Sequence, residues 1–105
     1  MPEQPFSVSG TRHRLLGRQI ELRLAQGFVL KFTPAEASTL SFALVAVRDG
    51  ISPEREIYMS PIASDAAFVG TVLDQGMSIA IPAGVLELDW PGVGSLAESL
   101  AAAIG

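Results

Sequence analysis

The sequence predicts an α+β domain: one antiparallel sheet of about five to seven strands, with two helices packed mainly on one face. Three observations predict it. Short strand-like runs are joined by two- and three-residue connections, too short for the crossovers that parallel strands need. Thr33, Pro34 and Glu36 fall in helix-starting order. The chain then closes on an apolar stripe at helical spacing. With 105 residues it reads as one domain over 1–105, with 1–17 an N-terminal arm or edge strand.

The first hairpin is the run "QIELRL", residues 19–24, followed by "FVLKF", residues 28–32. In the first run Ile20, Leu22 and Leu24 alternate with Gln19, Glu21 and Arg23, which predicts a strand with one wet face. The second run points Phe28, Leu30 and Phe32 inward, and Ala25-Gln26-Gly27 closes the loop between them.

A helix is expected from Pro34 to about Arg48, ended by Asp49-Gly50. Thr33 can accept a hydrogen bond from the first turn, and Glu36 can reach back to the threonine amide, completing a capping box. Ala37, Leu40, Leu44 and Val47 line one face, while Phe42, Val45 and Ala46 fall elsewhere. The second half is therefore apolar nearly all round and is expected to be buried on more than one side.

After the linker 51–55, four runs at 56–62, 66–73, 77–82 and 85–90 predict a meander, with Pro61 and Pro82 at strand ends, bulges or an edge. In the closing segment Val93, Leu96, Ala97, Leu100, Ala101 and Ile104 form a helical stripe, with Asp89 as its cap. Gly92 and Gly94 weaken its first turn, so the regular helix is expected to begin a little after Trp90. The order hairpin–helix–meander–helix brings an echo: each helix follows a strand, a glycine-containing turn, a strand and a proline, which is either an old duplication of a ββα unit or two solutions to the same hairpin-to-helix problem.

Composition narrows function. The chain is 49% hydrophobic before its 10 glycines are counted, and only 17% charged. Soluble domains usually reach about 45–50% apolar with glycine included, and about 25% charged. Such a chain has little charge with which to cover itself, which points to self-association. No apolar run approaches the bilayer-spanning length, and the first ten residues are no secretory signal. A cytoplasmic, bacterial-style domain is the expectation. With no cysteine there are no disulfides, thiolates or cysteine-based metal sites.

Charge is divided unevenly. Residues 1–48 carry six basic and three acidic groups, whereas residues 49–105 carry one and eight. Either the two halves lie side by side and neutralise each other, or the segment "TRHRLLGR" forms a basic patch for an anionic ligand through Arg12, His13, Arg14 and Arg18. Without interleaved aromatics it is a poor nucleic-acid signature.

Catalytic constellations are missing from the sequence. His13, the only histidine, lies between Arg12 and Arg14, with no carboxylate nearby to orient it. Glu54 with Glu56, and Glu87 with Asp89, share strand faces without a cation-loop pattern. No nucleophile elbow, Walker A motif or dinucleotide fingerprint occurs. Trp90 is expected to plug one end of the core with its N–H on a backbone carbonyl, and Met59 and Met77 to fill core gaps.

The expected function is therefore a non-enzymatic interaction module without cofactor or metal, forming a homodimer. The first helix, through Leu40, Phe42, Leu44, Val45 and Val47, or a sheet edge would supply the contact. A regulatory domain binding an anion or nucleic acid through the basic segment is the alternative, and a carrier of a small apolar ligand is a third.

Overall fold

The computed structural model describes residues 5–15 and 17–104, without the side chains of His13 and Gln26. Its elements are β1 (Ser7–His13), β2 (Gly17–Arg23), β3 (Val29–Phe32), α1 (Pro34–Arg48), β4 (Glu56–Met59), β5 (Phe68–Val72), β6 (Gly76–Ile81), β7 (Gly84–Asp89) and α2 (Trp90–Ile104). A single 3₁₀ turn, Ala25–Gly27, joins β2 to β3. All strand pairs are antiparallel, and the fold is α+β.

The strands form two sheets where one was expected. One has three strands in the order β1-β2-β3, and the other four in the order β4-β5-β6-β7. The break falls at β3, and the loop after β4 explains it. Ser64 Oγ donates to the Lys31 carbonyl at 2.9 Å and accepts from the Lys31 amide at 2.6 Å. One side chain thus takes the ladder positions that a neighbouring strand would have used.

The same loop is tied to α1. Glu36 Oε1 accepts from the Thr33 amide at 2.8 Å while Thr33 Oγ1 accepts from the Glu36 amide at 3.1 Å, so the capping box is formed. Glu36 Oε2 accepts in addition from the Ile62 amide at 3.0 Å. One carboxylate therefore starts the helix and fastens the loop that separates the sheets. Replacing Glu36 by Gln leaves one acceptor oxygen for two amides. That exchange is expected to lower unfolding stability by about 1–2 kcal/mol. In limited proteolysis, cleavage should become faster between residues 60 and 65. Unchanged stability and unchanged cleavage would contradict the shared role.

The far end of α1 closes as its sequence predicts. Ile51 donates to the Ala46 carbonyl at 2.9 Å and Gly50 to Val47 at 3.3 Å, with Gly50 at φ 73°. This is a Schellman closure, in which the left-handed position favours glycine.

The two helices pack chiefly on each other, and between them they reach both sheets: α1 touches β2, β3 and β4, and α2 touches β1, β2, β6 and β7. Small residues allow the close approach. The buried Ser41 hydroxyl donates to the Ala97 carbonyl at 2.9 Å. A Cβ on Gly94 would lie 2.7 Å from Arg48 Nη1, so this glycine makes room for the Arg48 guanidinium across α2. One core results, with Ile20, Leu22, Leu30, Phe32, Leu40, Leu44, Phe68, Met77, Ile79, Leu96 and Leu100 fully buried.

Three details depart from the expected pattern. Gln19 and Glu21 are buried (2% and 9% exposed), so the polar face of β2 is wet only at Arg23, which pairs with Glu21 at 2.8 Å. Central position in a three-stranded sheet lets the flanking rows close over them. Phe42, named as a dimer contact on the half of α1 expected to be buried on more than one side, is 74% exposed in the single chain. Finally, α2 begins at Trp90, because Asp89 Oδ1 accepts from the Gly92 amide at 2.8 Å and stabilises the glycine-rich first turn. No helix among the described residues is long and apolar enough to cross a membrane.

Candidate interaction surfaces

The residues expected to form a helical dimer contact divide into two groups. Leu40 and Leu44 are fully buried and Val47 is 7% exposed; all three belong to the core beneath α1. Val45 is half-buried against that core, and only Phe42 stands out from it. The reason is α2. The broad apolar girth of α1, which looked like a surface in need of a partner molecule, is covered by the second helix of the same chain.

The basic segment is a hairpin tip. Register places Arg12 directly opposite Arg18 across β1 and β2, with Arg14 and Leu15 in the connecting turn. Arg18 Nη2 donates to the Ala103 carbonyl at 2.8 Å, so it caps the last turn of α2, where a cation is favoured. Arg12 and Arg14 are exposed and take no part in the ion pairs among the described residues. Leu15 is 89% exposed beside them. The His13 side chain, named for the same anion site, lies outside the described residues.

Among the described residues the ion pair that joins the two halves of the chain is between the sequence neighbours Arg48 and Asp49. The pairs among the described residues are Arg23 with Glu21, and Arg48 with its neighbour Asp49 at 2.9 Å. The hydrogen bond from Arg48 holds the Asp49 carboxyl below its ordinary range and raises the Arg48 guanidinium in turn. A lowered carboxyl contributes stability above its unfolded pKa, and that contribution is lost as pH falls through the folded value. The pair is exposed and solvent screens it, so its weight is small.

A surface that the sequence reading passed over lies on the second sheet. Ile57, Phe68, Gly70, Met77, Ile79 and Leu88 face the core. The alternate positions face out. Tyr58 pairs with Val69, and Ala80 with Val85; the Gly70–Ile79 pairing sets Val69 beside Ala80. Tyr58, Val69, Ala80 and Val85 therefore make one apolar row across all four strands, about 14 Å long at ordinary strand spacing. Tyr58 is 65% and Val85 63% exposed. The adjacent outward row is Glu56, Thr71, Ser78 and Glu87, with an exposed acid on each edge strand. Arg55, just before β4, is the nearest base in sequence.

The signal for this row was present in the alternation. Each of the four runs carries an apolar residue at an outward position where a solvated sheet ordinarily has a polar one. Glu54, Glu56 and Glu87 are exposed, and Asp89 is engaged as the cap of α2. Trp90 Nε1 donates to the Asp74 carbonyl at 3.1 Å, tying the start of α2 to the β5–β6 turn.

The pockets described open on the surface. One of about 350 Å³ runs along Leu73–Gly76 and Glu87–Asp89, another of about 400 Å³ between Arg48, Trp90 and Glu98, and a third of about 350 Å³ beside Arg12 and Arg18. None of these is a chamber between the helices and the sheets, where a carried apolar ligand would sit. Comparison with protein-family models, with curated proteins and with solved structures finds no match to this chain.

Proposed function

We propose that this protein is a non-enzymatic interaction module that self-associates, and that its working surface is the outward face of the second sheet. The observation that carries this reading is the apolar row Tyr58–Val69–Ala80–Val85, which crosses every strand of that sheet with Tyr58, Ala80 and Val85 exposed and Val69 half-buried. Scattered single apolar side chains are ordinary on a protein surface, whereas a contiguous apolar row with a polar margin marks a contact. The tyrosine supports the same reading, since its ring buries apolar area while its hydroxyl stays wet.

Sedimentation velocity tests it. The wild-type mass should rise from one copy towards two across the micromolar range, whereas Tyr58→Glu and Val85→Glu should remain single copies at concentrations at least about tenfold higher. Both positions are exposed, so thermal unfolding measured on dilute protein should be nearly unchanged. A wild-type chain that stays monomeric throughout the range would overturn the proposal.

A further inference from the structure

The occupant of this face can be inferred from the hairpin tip at the other end of α2, where Arg18 meets the Ala103 carbonyl. Resting on the reading above, we infer that the face receives the basic β1–β2 hairpin tip of a second copy. Two-fold symmetry would make the contact twice in each dimer.

The two surfaces match in both charge and polarity. The sheet offers an apolar row bounded by Glu56 and Glu87 on its edge strands. The hairpin tip offers exposed Leu15 next to exposed Arg12 and Arg14, with Arg18 opposite Arg12. Leucine then meets the apolar row and the arginines meet the glutamates, so apolar surface faces apolar surface and each charge faces its opposite. The chain does not make this fit within itself: no ion pair among the described residues joins the hairpin to the second sheet.

The hairpin also carries an internal conflict that such a contact relieves. Like charges directly opposite each other across two strands destabilise the pairing. Arg18 is partly answered by the Ala103 carbonyl, and Arg12 has no acid among the described residues. A carboxylate from a second copy is the complement that Arg12 lacks among the described residues. A nucleic acid or other polyanion would bring negative charge too, but it would meet the eight acids of residues 49–105 on the same small molecule. A second copy brings the acids already set beside an apolar row.

The arrangement closes. A face that binds a tip, on a molecule carrying one of each, gives a dimer when a two-fold axis makes both contacts reciprocal. Each copy then buries both surfaces at once, and the two contacts reinforce each other.

A charge exchange tests the inference. One variant carries Arg12→Glu and Arg14→Glu; a second carries Glu56→Arg and Glu87→Arg. Each alone sets like charges against each other at both contacts, and its self-association should weaken at least about tenfold. Mixed in equal amounts, both reciprocal contacts become attractive, so a heterodimer should form with close to wild-type affinity. Trp90 fluorescence checks that each variant is folded. A mixture no better associated than its separate components, or variants that dimerise like wild type, would overturn the inference while leaving the sheet face as the contact for another partner. A wild-type monomer would instead remove the earlier reading, so the two failures are distinguishable.

Discussion

Gly76→Ala is expected to lower the stability of the fold by more than about 3 kcal/mol. Gly76 starts β6, pairs with Asp89 on β7 and is buried. A Cβ there would lie 1.8 Å from the Leu88 carbonyl oxygen and 2.7 Å from the Asp89 Cα. Both obstacles are backbone, so no rotamer change relieves them. The strand must move, and two bonds beside it resist: Leu73 donates to the Gly76 carbonyl at 2.9 Å, and Trp90 to Gln75 at 3.1 Å. Overpacking against side chains costs about 1–3 kcal/mol, and displacing paired backbone costs more. A loss above about 3 kcal/mol is a large share of the 5–15 kcal/mol typical of a small domain. Urea unfolding followed by the single tryptophan, Trp90, should show the midpoint collapse. A variant within about 1 kcal/mol of wild type would show that the β6–β7 approach is looser than described.

The second large effect separates core from surface on α1. Leu44→Ala should cost about 2–5 kcal/mol, because a fully buried leucine leaves both lost transfer energy and a cavity. Phe42→Ala, two residues away and 74% exposed, should change dilute-protein stability by less than about 0.5 kcal/mol. The Leu44 loss should be independent of protein concentration, since the site lies within one chain. A dimer contact at Leu44 would instead give a loss that shrinks on dilution. Thermal unfolding at two concentrations a hundredfold apart distinguishes these outcomes.

That contrast also shows what the sequence could and could not say. Local signals were legible: the capping box at Thr33 and Glu36, the α1 limits at Pro34 and Arg48, the Asp89 cap and the meander of four short strands all depend on residues within a few positions of one another. The break into two sheets was not legible. It depends on Ser64 meeting Lys31 and on Ile62 meeting Glu36, contacts separated by 33 and 26 positions that each join a side chain to a distant backbone group.

The helix face misled for a similar reason. An all-round apolar helix records how much cover it needs, and says nothing of whether the cover comes from the same chain. Here Ala37, Ser41, Gly94 and Ala97 are small enough for α2 to supply it. The surface left over, Tyr58 to Val85, became visible only when strand register aligned four unremarkable residues. Its acidic margin could be read as charge asymmetry in the sequence, without a location. Each helix directly follows the last strand of its own sheet.

The most direct measurement uses the one tyrosine of the chain, Tyr58, at the centre of the argument. Protein labelled with 3-fluorotyrosine gives a single fluorine resonance from the outward face of the second sheet. Its shift should move with protein concentration over the micromolar range, and added salt should oppose the movement, because exposed charge pairs are screened. A resonance that stays at its exposed position at every concentration, in low salt, would contradict the account.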